Sequence, residues 1–122
     1  MPHKRDDIVI LADMLAFARE VVEFVDGKSW EEYESDIKLR RAVERSVELI
    51  GEAARRISRE FEENHPDIPW NKIIVQRHRL AHEYDVLDDG IIWSVAIKYV
   101  PELITQIKPI VEQHANESDN TP

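Results

Sequence analysis

Cysteine is absent from this chain, so neither disulfides nor thiolate metal sites are available to it. No apolar run approaches the ~18 residues that a membrane-spanning helix needs. The first residues, Met1-Pro2-His3-Lys4-Arg5-Asp6-Asp7, lack the apolar stretch and cleavage pattern of a secretory signal, and a cytoplasmic protein is expected. Strand-like alternation between paired turn signals is missing, as are internal repeats and low-complexity segments. Positive charge is also in deficit. The 122 residues carry a formal net charge of -9, so general attraction to nucleic acid is not expected. Any RNA binding must come from a local patch, or from two patches joined by dimerisation. The length suits one domain with one core.

What is present is helical periodicity. Residues 6–25 read as a helix with Asp6 and Asp7 at its N-terminus. Ile8, Leu11, Leu15, Ala18, Val22 and Val25 form one apolar stripe, and Ile10, Met14, Phe17, Val21 and Phe24 form a second. Two stripes need two partners, and either the same bundle or a second subunit can supply the second. Gly27 suits a helix C-cap, and Ser29-x-x-Glu32 has the form of a capping box. A long helix is predicted from about Asp36 to about Glu62, with Val43, Val47, Ile50, Ala54, Ile57 and Phe61 inward. Gly51 and Ala53 leave room for another helix to approach, and Glu52 between them reads as a solvated residue. Lys38, Arg40, Arg41, Arg45, Arg55, Arg56 and Arg59, interleaved with glutamates, read as a solvated face.

Asn64-His65-Pro66-Asp67-Ile68-Pro69-Trp70 is a loop, with Pro69 in the first turn of a helix running from about Trp70 to about Ala81. Residues 85–89 form a second loop. A last helix runs from Asp88 or Asp89 to about Gln113, using Ile92, Val95, Tyr99, Leu103, Ile107, Ile110 and Val111, with Pro101 expected to kink or break it. The expected architecture is an all-α, antiparallel up-down bundle of four main helices plus a short or kinked extra element. Residues 1–114 would form the bundle and 115–122 a flexible tail.

Against the acidic background, the twelve residues from Asn71 to His82 contain no Asp or Glu. At the end of that stretch lies Arg77-His78-Arg79-Leu80-Ala81-His82-Glu83-Tyr84. A guanidinium can bind a phosphate with two hydrogen bonds and steady developing charge. An imidazole can take a proton from a ribose 2′-hydroxyl or return one to a leaving oxygen. Arg77 and His82 would lie about 140° apart on an ideal helix, but His82 can turn towards Arg77 if the helix ends near Ala81. One such pair is a thin site, whereas two copies facing each other across a dimer make a complete one. Plainer readings stand beside this. His78 and His82 have a zinc-compatible spacing but no evident third ligand. Arg79 and Glu83 could form a surface ion pair, and Tyr84 could simply pack.

Ile50-Gly51-Glu52-Ala53, Pro66-x-Ile68-Pro69-Trp70, Arg77-x4-His82-x-Tyr84, and Trp93 with Pro101-x-Leu103 resemble the HEPN superfamily, specifically its HepT-like toxins. The resemblance covers nearly the whole chain, in order. It implies a dimeric all-α ribonuclease that needs no metal and no cofactor. Arg77 and His82 would be its catalytic pair in a dimer cleft, with His78, Arg79, Lys72 and Glu52 binding RNA or supporting the pair. It also implies a type II or VII-like toxin–antitoxin pair whose partner is a minimal nucleotidyltransferase, which transfers AMP to the motif tyrosine, here Tyr84. Many relatives have Asn directly after the motif arginine, where this chain has His78. The alternative is a non-catalytic HEPN module that binds and regulates a nucleotidyltransferase or a nucleotide.

Overall fold

The computed structural model describes residues 3–75 and 89–119, and these are all-α. Helix α1 spans His3–Val25, α2 Trp30–Ser35, α3 Ile37–Ala54 and α4 Arg59–Asn64. A further helix, α5, begins at residue 70 and is described to residue 75. After the interval 76–88, α6 runs over Asp89–Ser94, continues through a π-helical turn at Val95–Tyr99, and becomes α7 over Val100–Asp119. No helix among the described residues is long and apolar enough to cross a membrane.

Helix α1 is the axis of the bundle and packs against both α3 and α7. Leu11, Met14, Ala18 and Val21 on it are fully buried, and Ile10 is 6% exposed. Both stripes of α1 are therefore covered largely within one chain, with Phe17 and Phe24 half-buried against the core. The surplus of apolar surface on this helix is a consequence of its central place.

Local signals set the first connections. Gly27 takes a positive φ of 71°, the left-handed conformation that ends α1. Ser29 caps α2 in a complete capping box: its hydroxyl accepts from the Glu32 amide, and the Glu32 carboxylate accepts from the Ser29 amide. Asp36 caps α3 by accepting from the Leu39 amide at 3.1 Å.

Three expectations are corrected. The long helix predicted over 36–62 is two helices, broken between Ala54 and Arg59. Asp7, expected to serve its own helix terminus, instead bonds to the residue just before α4. Its carboxylate, 3% exposed, accepts from the Ser58 amide at 2.9 Å and the Ser58 hydroxyl at 2.7 Å. The same hydroxyl accepts from the Phe61 amide and so caps α4. Ile57 within the break and Phe61 beyond it both stay buried, which is why the apolar spacing ran through it.

The second correction concerns Pro101, which does not end the last helix but follows an interruption of its α-helical geometry. A proline lacks the amide donor and collides with the carbonyl four residues back, here that of Ile97. The wider π turn just before it relieves both demands, with the Val100 amide bonding to the Val95 carbonyl. The extra residue in that turn shifts the buried positions within it, while Leu103 and Ile107 beyond it are buried as expected. Ala96 and Val100 are buried where Val95 and Tyr99 were expected, and Tyr99 is 51% exposed. The third correction is length: α7 passes Pro109 and continues to Asp119, beyond the predicted end at Gln113.

Candidate active site

Arg77, His78, Arg79, His82 and Tyr84 lie outside the described residues, as does the expected end of the helix near Ala81. The structure does describe what holds each end of the interval that contains them. Before it, the loop 65–70 is pinned from several sides. The Trp70 indole N–H donates to the His65 carbonyl at 3.0 Å, and the Ile68 amide donates to the same oxygen at 3.2 Å. His65 Nδ1 pairs with the Phe61 carbonyl at 3.0 Å, with its ring stacked on Phe61. Trp70 meets Phe61 edge-on, and Ile68 and Trp70 are buried. Gln106 of α7 donates to the Asp67 carbonyl at 2.8 Å. The Pro69 carbonyl then accepts from the Ile73 amide, so Pro69 stands at the cap of α5 rather than inside its first turn. Lys72, in that turn, is exposed.

After the interval, Asp89 opens α6, where its charge complements the helix dipole. Its carboxylate lies 3.6 Å from Arg40 Nε on α3. Arg40 also donates to the Glu34 carbonyl, which ties the α2–α3 junction to the start of α6. Beneath this pair Trp30, Tyr33 and Trp93 cluster, with the Tyr33 and Trp93 centroids 5.0 Å apart. Tyr33 is fully buried, and its hydroxyl has no hydrogen-bond partner among the described residues. Burial first, then the nearby carboxylates of Glu44 and Asp89, push its pKa well above the usual tyrosine value. The phenol therefore stays neutral.

The Gly51-Glu52-Ala53 element lies in the last turns of α3, with Gly51 and Ala53 buried and Glu52 exposed, as its solvated reading required. Sequence reasoning passed over Tyr33, the Arg40–Asp89 pair and the Asp7–Ser58 link. Helix α2 is only six residues long, too short for periodicity to mark Tyr33 as buried. The other two pairs join residues 49 and 51 positions apart, a separation that no local pattern records.

The family described as "Ribonuclease HepT-like" matches residues 14–110. Two similar proteins are named "Putative RNase". One, from Caldanaerobacter subterraneus subsp. tengcongensis, is 41% identical over 76% of this chain and 83% of its own length. The other, from Methanocaldococcus jannaschii, is 31% identical over 97% of this chain and 98% of its own. A protein of Thermococcus cleftensis named "Probable ribonuclease HepT" is 32% identical over 82% of this chain and 91% of its own length. No solved structure matches the chain. With four-fifths of its length matched by one family, and relatives that align nearly end to end, the chain belongs to the HepT-like ribonuclease family.

Proposed function

We propose that this protein is a metal-independent endoribonuclease, the toxin of a toxin–antitoxin pair. The observation that carries this reading is the intact Arg77-x4-His82 pair in a chain of the HepT-like family. Cleavage would begin with the ribose 2′-oxygen attacking the adjacent phosphorus. The bond to the 5′-oxygen breaks, leaving a 2′,3′-cyclic phosphate and a 5′-hydroxyl. His82 takes the 2′-hydroxyl proton, and a histidine returns one to the leaving oxygen. Arg77 binds the two non-bridging oxygens and steadies the charge they gain. One imidazole cannot do both proton transfers at once, which favours two facing copies. His78, Arg79, Lys72 and Glu52 would serve the pair as RNA-binding or supporting residues. Large apolar side chains left exposed at Ile91, Ile97 and Tyr99 also give a second copy of the chain something to cover.

The partner in this reading is a minimal nucleotidyltransferase antitoxin. The Tyr84 oxygen attacks the α-phosphorus of ATP, pyrophosphate leaves, and a base on the partner takes the phenol proton. The attached AMP then competes with RNA for the arginines and fills the cleft. Purified protein incubated with RNA in EDTA tests the catalytic part. Cleavage that persists in EDTA and ends in cyclic phosphates supports it. Loss of cleavage on chelation would show a metal enzyme instead, and no cleavage at all would favour a non-catalytic module that binds and regulates its partner.

A further inference from the structure

The basic residues of α3 and the turn that follows fall into two groups. Three of the four in the first half of α3 face a carboxylate: Arg41 pairs with Glu44 at 2.9 Å, Arg45 with Glu48 at 2.8 Å, and Arg40 lies 3.6 Å from Asp89, while Lys38 is exposed and forms no ion pair among the described residues. Arg55, Arg56 and Arg59 are different. All three are exposed, and none forms an ion pair among the described residues. Candidate partners stand close in sequence, since Glu52 precedes Arg56 by four residues and Glu63 follows Arg59 by four. Neither carboxylate forms an ion pair among the described residues.

The fold gives the three arginines little reason to be there. Arg55, at the C-cap of α3, does complement the negative end of that helix. Arg56 lies in the turn beyond it, and Arg59 is the first residue of α4, where a positive charge opposes the helix dipole. The turn itself is firmly held. The buried Asp7 carboxylate takes both the Ser58 amide and the Ser58 hydroxyl, and Ile57 is 6% exposed. Three exposed guanidiniums with no ion pair among the described residues thus stand within five residues of fixed backbone, in a protein of net charge -9. Unpaired cations kept on an acidic protein, on a turn anchored from another helix, are suited to an anionic ligand with repeated charges.

We infer that the Arg55–Arg59 turn is a phosphate-binding exosite, made by residues outside the 77–84 motif, that holds the backbone of single-stranded RNA. The RNA assignment rests on the ribonuclease reading. Guanidiniums form paired hydrogen bonds with phosphate oxygens, and a strand offers one phosphate per nucleotide to consecutive arginines. Such contacts position the strand and carry no base preference.

The test is the salt dependence of binding to a 2′-O-methylated, hence uncleavable, oligoribonucleotide, measured by fluorescence anisotropy. Each phosphate contact to a single strand contributes about 0.7 to the slope of log K against log salt. The triple variant Arg55→Gln, Arg56→Gln, Arg59→Gln should therefore show a slope shallower by about 2 and weaker binding to every sequence tried. Arg45→Gln, which removes a paired arginine, should leave the slope unchanged. An unchanged slope in the triple variant, with its circular dichroism intact, would overturn the exosite, as would failure of the parent to bind the oligonucleotide. Equal competition by poly-glutamate would also overturn it and point to an acidic protein partner. Cleavage of unmodified RNA is read separately. A parent that cleaves while the triple variant keeps its slope loses only the exosite, whereas a slope loss without any cleavage retains the exosite and removes the ribonuclease reading.

Discussion

Two side chains show how much of this protein depends on single polar atoms. Tyr33 buries its ring in the aromatic cluster, and its hydroxyl has no hydrogen-bond partner among the described residues. Removing a buried group that makes no hydrogen bond loses no bond and relieves a desolvation penalty. Tyr33→Phe should therefore stabilise the fold by about 1 kcal/mol, seen as a Tm a few degrees higher in thermal unfolding. The direction of the Tyr33 pKa gives a second consequence. The native state holds the phenol proton more tightly than the unfolded chain does. Above the ordinary tyrosine value of about 10, the unfolded chain gives up a proton that the native state keeps, so stability falls as pH rises. Urea unfolding between pH 9 and 11 should show this fall, and Tyr33→Phe should reduce it. Asp7 is the opposite case, because every bond it accepts is used. Asp7→Ala strands the Ser58 amide and hydroxyl and should cost about 2–3 kcal/mol in chemical denaturation. A cost near zero would show that the α3–α4 break does not depend on it.

At the scale of the elements, local chemistry was readable and long-range chemistry was not. The capping box at Ser29, the left-handed Gly27 and the apolar stripes of α1 can each be read within a few residues, and each is found as expected. The break after Ala54 was hidden because Ile57 and Phe61 keep a helical spacing while Asp7, some fifty residues away, bonds to the turn. The shift of the buried face from Tyr99 to Val100 was hidden for another reason. A π turn adds a residue that a fixed period of 3.6 cannot foresee, although Pro101 was the sign that something had to yield. Pro101→Ala restores an amide donor and removes the clash that the π turn relieves. The variant should fold, and its amide exchange at 95–101 should slow as the segment tightens. Of the candidate site, the residue types at 77, 82 and 84 were legible in the sequence. What the structure adds is the anchoring on either side, through Trp70 and through the Arg40–Asp89 pair. Arg40→Asp and Asp89→Arg should each lower cleavage, and the charge-swapped double variant should recover part of it, measured as initial rates on one RNA. A double variant no better than either single one would remove the pair from any role at the site.

For the whole molecule, the bundle closes its core within one chain, since α1 finds both its partners in α3 and α7. The proposed dimer would then be held by other surfaces, which would bring two copies of the 77–84 motif together. Light scattering should report a dimer at micromolar concentration, and a monomer still active on RNA would refute the two-copy site. Tyr84→Phe should keep cleaving and should resist silencing by the nucleotidyltransferase with ATP and magnesium, read as AMP mass on the Tyr84 peptide and as residual cleavage. Full silencing of that variant would place the off-switch elsewhere. The central claim concerns the pair at 77 and 82, and one comparison bears on it directly: cleavage of a defined RNA, in EDTA, by the parent protein and by His82→Ala of matched thermal stability. The parent should cleave, and the variant should be slower by about 10²–10⁴-fold, the usual contribution of a positioned acid–base group. Equal cleavage by the two proteins would contradict the assignment of His82 and, with it, the catalytic mechanism proposed for this chain.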